Sequence, residues 1–343
     1  MKGMLAVLLS IALTAICWGV YGPVLHEGQH GMGAMINGQH VSSMWRPFTC
    51  VGLAYFVIAV VVPAVLLRSR GEAGKWTVTG TVWSLAAGVA GALGALGIIM
   101  AFKNQGNPIY VMPLVFGGAP VVNTFFTMYL NKSYKEAGPL FFAGLILVVA
   151  GAATVLIFKP GPARESAALT TSQLMQVASW VTVTALSWGV YGPVLHKGQS
   201  AMQGSRLRPL VCVGLAYFLI AVILPLSVMA ATPEPGTWTN IPGTLWSLAG
   251  GAAGAIGALG IILAFNFGGK PVYVMPLVFG VAPVVNTLTT MLTKGNFNAV
   301  NPVFYAGLII VAVGAVTVLI FAPKGGHKPA PAPTPPAEPI AAH

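Results

Sequence analysis

Long apolar runs alternate with short polar turns along most of the chain. About 20 predominantly apolar residues are enough to cross a bilayer as a helix. Most turns between the runs contain glycine or proline, which readily end helices. The apolar runs cover residues 4–24, 48–67, 78–102, 109–130, 138–158, 174–194, 210–230, 241–265, 272–292 and 302–321. This pattern predicts an all-α integral membrane protein with ten transmembrane helices.

The second half of the chain repeats the first half. Trp18–His26 recurs as Trp188–His196, and Cys50–Phe56 recurs as Cys212–Phe218. The offset is 170 residues in the first helix and 162 or 163 residues afterwards, so the first copy carries an insertion of about eight residues. Because the first apolar run has a counterpart in the middle of the chain, we expect it to be a retained helix and not a cleaved signal peptide.

Each copy contains five predicted helices, and this odd number reverses the direction in which the second copy enters the membrane. We therefore predict a 5+5 inverted-topology repeat, an arrangement common among secondary transporters. The predicted units are a first five-helix repeat (1–160), a linker (161–173), a second five-helix repeat (174–323) and a disordered Pro/Ala-rich cytoplasmic tail (324–343).

Composition supports a membrane protein and excludes most soluble classes. Hydrophobic residues make up 56% of the chain and charged residues only 7%, whereas soluble domains carry about 25% charged residues. The net charge of +11 comes from basic residues scattered between apolar runs, so we expect no nucleic-acid partner. With the N-terminus in the cytoplasm, twelve of the 17 Lys and Arg residues lie on the cytoplasmic side. This predicts a multi-pass protein of the cell inner (cytoplasmic) membrane with both termini cytoplasmic.

Several motifs stand at matching places in the two halves. Each half has a Trp-Gly pair in its first helix, an arginine before its second, and an Ala-Pro-Val step in its fourth. These are Trp18-Gly19 and Trp188-Gly189, Arg46 and Arg208, and Ala119–Val121 and Ala282–Val284. With five plus five helices, the pattern resembles the drug/metabolite transporter (DMT) superfamily, whose unit is the EamA domain. The resemblance covers residues 4–321 and implies a metabolite transporter.

The chain departs from that family at one place. Many members have a glutamate just after the fourth helix, where this chain has Asn131-Lys132 in the first half and Thr293-Lys294 in the second. The resemblance therefore leaves the branch of the superfamily open.

The predicted fourth and ninth helices carry prolines and polar residues at matching positions. Each proline frees a carbonyl group one turn earlier, and broken helices at matching places in two halves mark transporter sites. We predict helix breaks at Pro113, Pro120, Pro276 and Pro283, and substrate-binding residues at Asn123, Asn286, Tyr110 and Tyr273. The alternative is that the prolines only bend the helices and the asparagines bond across them.

Aromatic residues recur in the first and third helices of each half. A Trp and a Tyr three residues apart share one helix face, and another Trp precedes the glycine-rich part of each third helix. We predict that the substrate site is walled by Trp18, Tyr21, Trp188, Tyr191, Trp83 and Trp246. The alternative is that they are ordinary buried or interfacial aromatic residues.

Histidines follow a Gly-Pro pair in each first helix. His26 and His196 are candidate gate residues at opposite membrane faces, and simple solvation is the alternative. The stretch from His26 to His30 also matches the H-E-x-x-H pattern of zinc peptidases, with Glu27 as the base. However, glycines interrupt and follow the motif, the chain has no aspartate, and the second copy has Ser200 in place of the second histidine. We therefore expect no metal site and no cofactor.

These observations favour a secondary transporter or facilitator of a small organic solute, a sugar or another metabolite, by alternating access. The lining of aromatic and amide side chains suits a neutral or weakly polar solute better than a strongly cationic one. The expected partners are the solute and the lipid bilayer, with a homodimer left open, and we expect no enzymatic activity. The alternatives are a membrane-embedded zinc metallopeptidase using His26, Glu27 and His30, and a non-transporting membrane scaffold whose Pro-rich tail docks on a partner.

Overall fold

The structure, a computed structural model, describes residues 2–132, 135, 137–158, 169–294 and 301–321. The predicted tail, most of the predicted linker, and the side chains of Tyr273 and Pro276 lie outside the described residues. The described residues form helices α1 (Lys2–Gly31), α2 (Trp45–Ser69), α3 (Val78–Lys103), α4 (Pro108–Asn131), α5 (Pro139–Ile157), α6 (Thr171–Ala201), α7 (Leu207–Ala231), α8 (Ile241–Asn266), α9 (Pro271–Lys294) and α10 (Pro302–Ile320). A hairpin of β1 (Ala34–Ile36) and β2 (Gln39–Val41) joins α1 to α2.

The prediction of an all-α protein is confirmed. By length and composition, six of the helices in the described part of the chain can cross a membrane: α1, α2, α3, α4, α7 and α8. Helices α5, α9 and α10 contain shorter apolar stretches. Helix α6 has 31 residues but carries many serine and threonine side chains.

Polar residues at the turns set the starts of several helices. The Thr77 side chain accepts a hydrogen bond from the backbone N–H of Gly80 at the start of α3. Asn240 accepts one from Gly243 in the same way at the start of α8. Helix α6 begins with a capping box, in which Thr170 and Gln173 satisfy each other's backbone N–H groups. Local sequence therefore fixes where these helices begin.

The insertion in the first copy forms the β-hairpin. Its two-residue turn, Asn37-Gly38, has φ angles of 50° and 77°, values that suit asparagine and glycine in a tight hairpin turn. At the matching place in the second copy, only a short turn between Ala201 and Leu207 connects α6 to α7. The two halves therefore differ most in this connection.

Equivalent helices of the two halves pack against each other in opposite directions. Along α2 and α7, Gly52 contacts Ala221 and Val222 while Gly214 contacts Ala59 and Val60. Along α5 and α10 the contacts run the same way: Gly144 with Val318 and Gly314, and Gly151 with Val311 and Gly307. Early residues of one helix thus meet late residues of its counterpart. These reciprocal contacts relate the halves by a local two-fold axis.

The two halves interlock. The most extensive packing pairs a helix of one half with a helix of the other: α1 with α8, α3 with α6, and α5 with α10. Most buried apolar side chains form one continuous cluster, which joins helices of both halves. Neither half buries its own apolar faces alone, so the packed unit is the pair of halves.

The prolines inside the helices do not interrupt them. Helix α1 continues through Pro23, and α4 continues through both Pro113 and Pro120. The predicted helix breaks at Pro113 and Pro120 are therefore proline positions within a continuous helix. A π-helical turn occurs instead in α2, at Val57–Val61, and in α7, at Leu219–Ile223.

Candidate functional site

A cavity enclosed mainly by aromatic rings lies on the axis between the two halves. It is lined by Trp18, Tyr21, Tyr55, Gly91, Trp188, Tyr191, Tyr217 and Gly254. The glycines lie near the middle of α3 and α8, so the cavity is about equally far from both ends of the bundle. The cavity volume is about 20 Å³, enough for about one water molecule.

The rings form matched pairs across the axis. Tyr55 and Tyr217 stack in parallel, with ring centroids 3.6 Å apart and planes 3° from parallel. The centroids of Trp18 and Trp188 are 6.1 Å apart with planes 21° from parallel. Each Trp also meets a Tyr of the other half edge-on at 6.1 Å. The rings are close together, so a solute larger than a few atoms requires them to separate.

Glycines and carbonyl groups of the third helices hold the two indoles in place. The Trp18 indole N–H donates to the Gly254 carbonyl at 3.3 Å, and the Trp188 indole N–H donates to the Gly91 carbonyl at 3.2 Å. A side chain at Gly94 would overlap the Trp188 indole. The glycine-rich helices thus provide both the space and the hydrogen-bond acceptors for the tryptophans.

The fourth helices add a further aromatic pair behind the tryptophans. The Phe116 ring lies 6.0 Å from the Trp188 ring, and the Phe279 ring lies 6.2 Å from the Trp18 ring, between centroids. On the side of the tyrosines, the π-helical turns of α2 and α7 begin two residues after Tyr55 and Tyr217. Such turns are frequent at functional sites.

Four of the predicted lining residues, Trp18, Tyr21, Trp188 and Tyr191, come together in this cavity. Tyr55 and Tyr217 were not predicted. The sequence feature that could have identified them is a tyrosine at the same place in an apolar run of both copies.

The other predicted aromatic residues lie elsewhere. Trp246 is 45% exposed, and Trp83 is half-buried beneath Lys197, whose ammonium lies 4.8 Å from the ring centroid. Tyr110 is buried at the start of α4, where its hydroxyl donates to the Gln105 carbonyl at 3.2 Å. These three side chains do not contribute to the cavity wall.

The predicted asparagines, Asn123 on α4 and Asn286 on α9, are buried and do not line the cavity. Asn286 donates to the Pro108 carbonyl at 2.9 Å. Its own Oδ1, like that of Asn123, is buried without a hydrogen-bond partner. A methyl group on Gly22 would lie 3.1 Å from the Asn286 Oδ1, so this oxygen lies close to the segment that carries Tyr21.

The histidines lie toward opposite ends of the bundle. The His26 ring meets the Phe102 ring edge-on at 5.2 Å, and the His196 ring meets Phe265 at 5.1 Å. His30 stacks on His40 of the hairpin at 3.7 Å. Although the H-E-x-x-H stretch is helical, no group of three or more His, Cys, Asp or Glu side chains converges in the residues that the structure describes.

Two carboxylates bind the N-termini of the second helices, and the sequence did not reveal them as a site. Glu72, in the turn after α2, accepts hydrogen bonds from the Ser205 hydroxyl and from the backbone N–H groups of Arg206 and Leu207, the latter two at 3.0 and 3.1 Å. The Arg206 Nε donates at 3.0 Å and the Arg208 guanidinium lies at 3.7 Å. We name these five residues the Glu72 clamp.

Burial alone would raise the pKa of Glu72, but the hydrogen bonds from Ser205, Arg206 and Leu207 outweigh it, so the pKa lies below its usual range. The start of α7 also places a positive helix end next to this carboxylate. The clamp thus holds an ionised glutamate.

The Glu234 clamp is the counterpart in the other half. Glu234, in the turn after α7, accepts hydrogen bonds from the Ser43 hydroxyl at 2.7 Å and from the backbone N–H groups of Met44 and Trp45. The Arg46 guanidinium lies 3.4 Å from the carboxylate. Because α2 and α7 are antiparallel, the two clamps lie at opposite ends of the bundle. The overlooked signal was the equal spacing: Glu72 and Glu234 are 162 residues apart, like their partners.

Comparison with known proteins gives the fold but no function. No family model matches the chain, and no curated protein matches it. One solved structure, described only as a crystal structure of a protein, aligns over 94% of this chain and 99% of its own length, with a TM-score of 0.56 and 17% sequence identity. The chain therefore shares an overall fold with a protein of similar extent. Its apolar helices indicate a multi-pass membrane protein.

Proposed function

We propose that this protein is a secondary transporter or facilitator that moves a small organic solute across a membrane through its central cavity. The observation that carries the proposal is the aromatic cavity on the axis between two inverted halves, midway between the ends of the bundle. Inverted-repeat transporters bind their solute near the midplane, at the interface of the repeats.

The proposal includes ten transmembrane helices in a 5+5 inverted arrangement. Helices α5, α6, α9 and α10 then cross the membrane alongside the six that are apolar and long enough by themselves. Support comes from the pairing of α5 with α10 and of α3 with α6. The cytoplasmic location of both termini, the cytoplasmic membrane and membership of the DMT superfamily belong to the same proposal, on the charge distribution and motifs described above.

Alternating access requires two ends of the bundle that open and close separately, and in our proposal each clamp closes one end. Each clamp ties the turn after one helix of the α2–α7 pair to the first turn of the other helix. With both clamps formed, both ends are held. In our proposal, release of one clamp opens that end to the cavity while the other clamp keeps its end closed.

Uptake into vesicles tests the proposal. Proteoliposomes are mixed with iso-osmotic solutions of single sugars, amino acids or methylated amines, and swelling is followed by light scattering. We expect at least one solute to enter at least tenfold faster than in protein-free vesicles. The double variant Trp18→Leu/Trp188→Leu should lose this uptake, whereas Trp83→Leu/Trp246→Leu, the matched pair outside the cavity, should keep it. Uptake that survives loss of both cavity tryptophans, or no uptake of any solute class, would refute the proposal.

A further inference from the structure

The cavity offers aromatic faces and few hydrogen-bonding groups. Both indole N–H groups are already donated to helix carbonyl groups, so the tryptophans present their rings. The hydroxyls of Tyr21 and Tyr191 are buried and have no hydrogen-bond partner. Among the described residues, no Lys, Arg, His or Glu side chain lines the cavity.

This lining disfavours sugars and anions. A sugar brings several hydroxyl groups, of which only two could pair with the free tyrosine hydroxyls. A hydroxyl that is buried without a partner loses its hydrogen bonds to water, so a sugar would bind poorly despite its contacts with the rings. An anion needs charged donors or a helix N-terminus, and neither lines the cavity.

A compact organic cation fits the lining best. Aromatic faces carry partial negative charge, so they attract a cation that lies within about 6 Å of a ring centroid. Six rings from Trp18, Tyr21, Tyr55 and their counterparts surround one space. An alkylated ammonium ion also has few hydrogen bonds to satisfy, and its charge makes unaided passage through hydrocarbon very costly, so it needs a carrier.

We propose that the cavity binds a compact alkylated ammonium ion, a quaternary ammonium or methylated amine; this deepens the transport function and rests on it. The rings replace the water around the methyl groups of the ion. The buried Oδ1 atoms of Asn123 and Asn286 supply acceptor oxygens on the fourth helices, outside the ring lining. The cation class replaces the neutral solute expected from the sequence, because Tyr55 and Tyr217 complete the aromatic enclosure.

A pair of matched ligands tests the charge directly. Choline and 3,3-dimethylbutan-1-ol have the same shape, but the alcohol has a neutral carbon where choline has its charged nitrogen. Calorimetric titration of the full chain in detergent should give at least tenfold tighter binding of choline. Equal or tighter binding of the neutral alcohol would overturn the proposal.

Variants locate the binding. Trp188→Leu should weaken choline binding at least tenfold, Trp188→Phe should weaken it less because a ring remains, and Trp246→Leu should leave it unchanged. Thermal unfolding checks that each variant is folded, and the Phe variant keeps the test valid if the Leu variant does not fold. Unchanged choline binding in both Trp188 variants would place the ion elsewhere and overturn the proposal.

The two proposals fail in different ways. Uptake of another solute that is lost in Trp18→Leu/Trp188→Leu, without choline binding, would overturn the ammonium class and leave transport standing. Choline binding without uptake of any solute would overturn transport and leave the ammonium site standing.

Discussion

The two ends of the molecule are built from the same kind of clamp. They differ in the number of guanidinium groups that face the carboxylate and in the chain segments that surround the clamp. At one end, Glu72 faces two guanidinium groups, those of Arg206 and Arg208. At the other end, Glu234 faces one, that of Arg46, because Met44 stands where the second copy has Arg206. An inverted repeat builds both ends from related sequence, so such substitutions decide how the ends differ.

The chain segments that surround the two clamps differ as well. The β-hairpin lies only at the Glu234 end, where the backbone N–H of Thr237 donates to the Met32 carbonyl at 3.1 Å. The Arg46 guanidinium also lies 6.0 Å from the centroid of the Trp238 ring. The Glu72 end has more charge and the Glu234 end has more surrounding chain. If the proposed transport cycle holds, we expect these differences to set which end opens more readily.

Removing the clamp carboxylates should have the largest effect on the free energy of unfolding. Glu72→Ala leaves two guanidinium groups and three N–H or O–H donors without their acceptor, and we expect a loss of about 3 kcal/mol, at the low end for breaking a buried ion pair because Arg206 is 45% exposed. Glu234→Ala should cost less, since only one guanidinium loses its partner. Thermal unfolding of both variants in detergent measures this, and a larger loss for Glu234→Ala would reverse the ranking of the ends.

Matched changes at the centre should instead have equal effects. Gly94→Ala places a methyl group against the Trp188 indole, and Gly257→Ala does the same at Trp18. We expect each to cost about 1–3 kcal/mol from overpacking and to reduce uptake similarly. A clear difference between the two variants, in unfolding or in uptake, would show that the asymmetry reaches the cavity.

The native cysteines report which end opens. Cys50 and Cys212 are each 1% exposed, and they lie at matching places in α2 and α7, one toward each end. Every 1.4 kcal/mol by which a clamp is weakened raises the open population about tenfold. We therefore expect Glu234→Ala to speed alkylation of Cys50 at least tenfold, and Glu72→Ala, which weakens its clamp more, to speed that of Cys212 further, with mass spectrometry assigning the site. Faster labelling of the opposite cysteine in either variant would contradict the proposed pairing.

The smallest expected effect is on how the melting temperature depends on pH under acidic conditions. Because the pKa of Glu72 is lowered in the folded protein, its contribution to stability is fully present above the unfolded value, about 4.3 for glutamate, and is lost as pH falls through the folded value. The melting temperature of Glu72→Gln should therefore fall less than that of the wild type as the pH drops below about 4.3. Lys75→Gln, a charge change in the same turn, serves as the control. Parallel curves for wild type and Glu72→Gln would contradict the role of the ionised carboxylate.

Much of the fold could be predicted because bilayer-length apolar runs and an internal repeat leave strong marks. The predicted ends of most described helices lie within a few residues of the observed ends. The exceptions are α1 and α6, which extend further, to Gly31 and Ala201. Proline removes a backbone hydrogen bond inside a helix, so the Gly-Pro pair by itself favours an end to each helix there. Packing against α8 and α3 holds both helices together through the proline, and such tertiary support is not visible in local sequence.

The site was less predictable because it depends on which helix faces meet. Trp18 and Trp188 line the cavity, whereas Trp83 and Trp246 are equally aromatic and equally repeated but lie outside it, Trp83 half-buried and Trp246 45% exposed. A single apolar span shows no clear polar face, so periodicity does not reveal its inner side. The clamps were missed for a similar reason, since Glu72 bonds to residues more than 130 positions away.

Distances between spin labels at the two ends test most directly whether one shared cavity is closed by two independent clamps. In a cysteine-free background, labels at Lys75 and Ser200 span the Glu72 end, and labels at Gln39 and Thr239 span the Glu234 end. We expect Glu72→Ala to lengthen only the first distance and Glu234→Ala only the second. Lengthening of both distances in either variant would contradict alternating closure of the two ends.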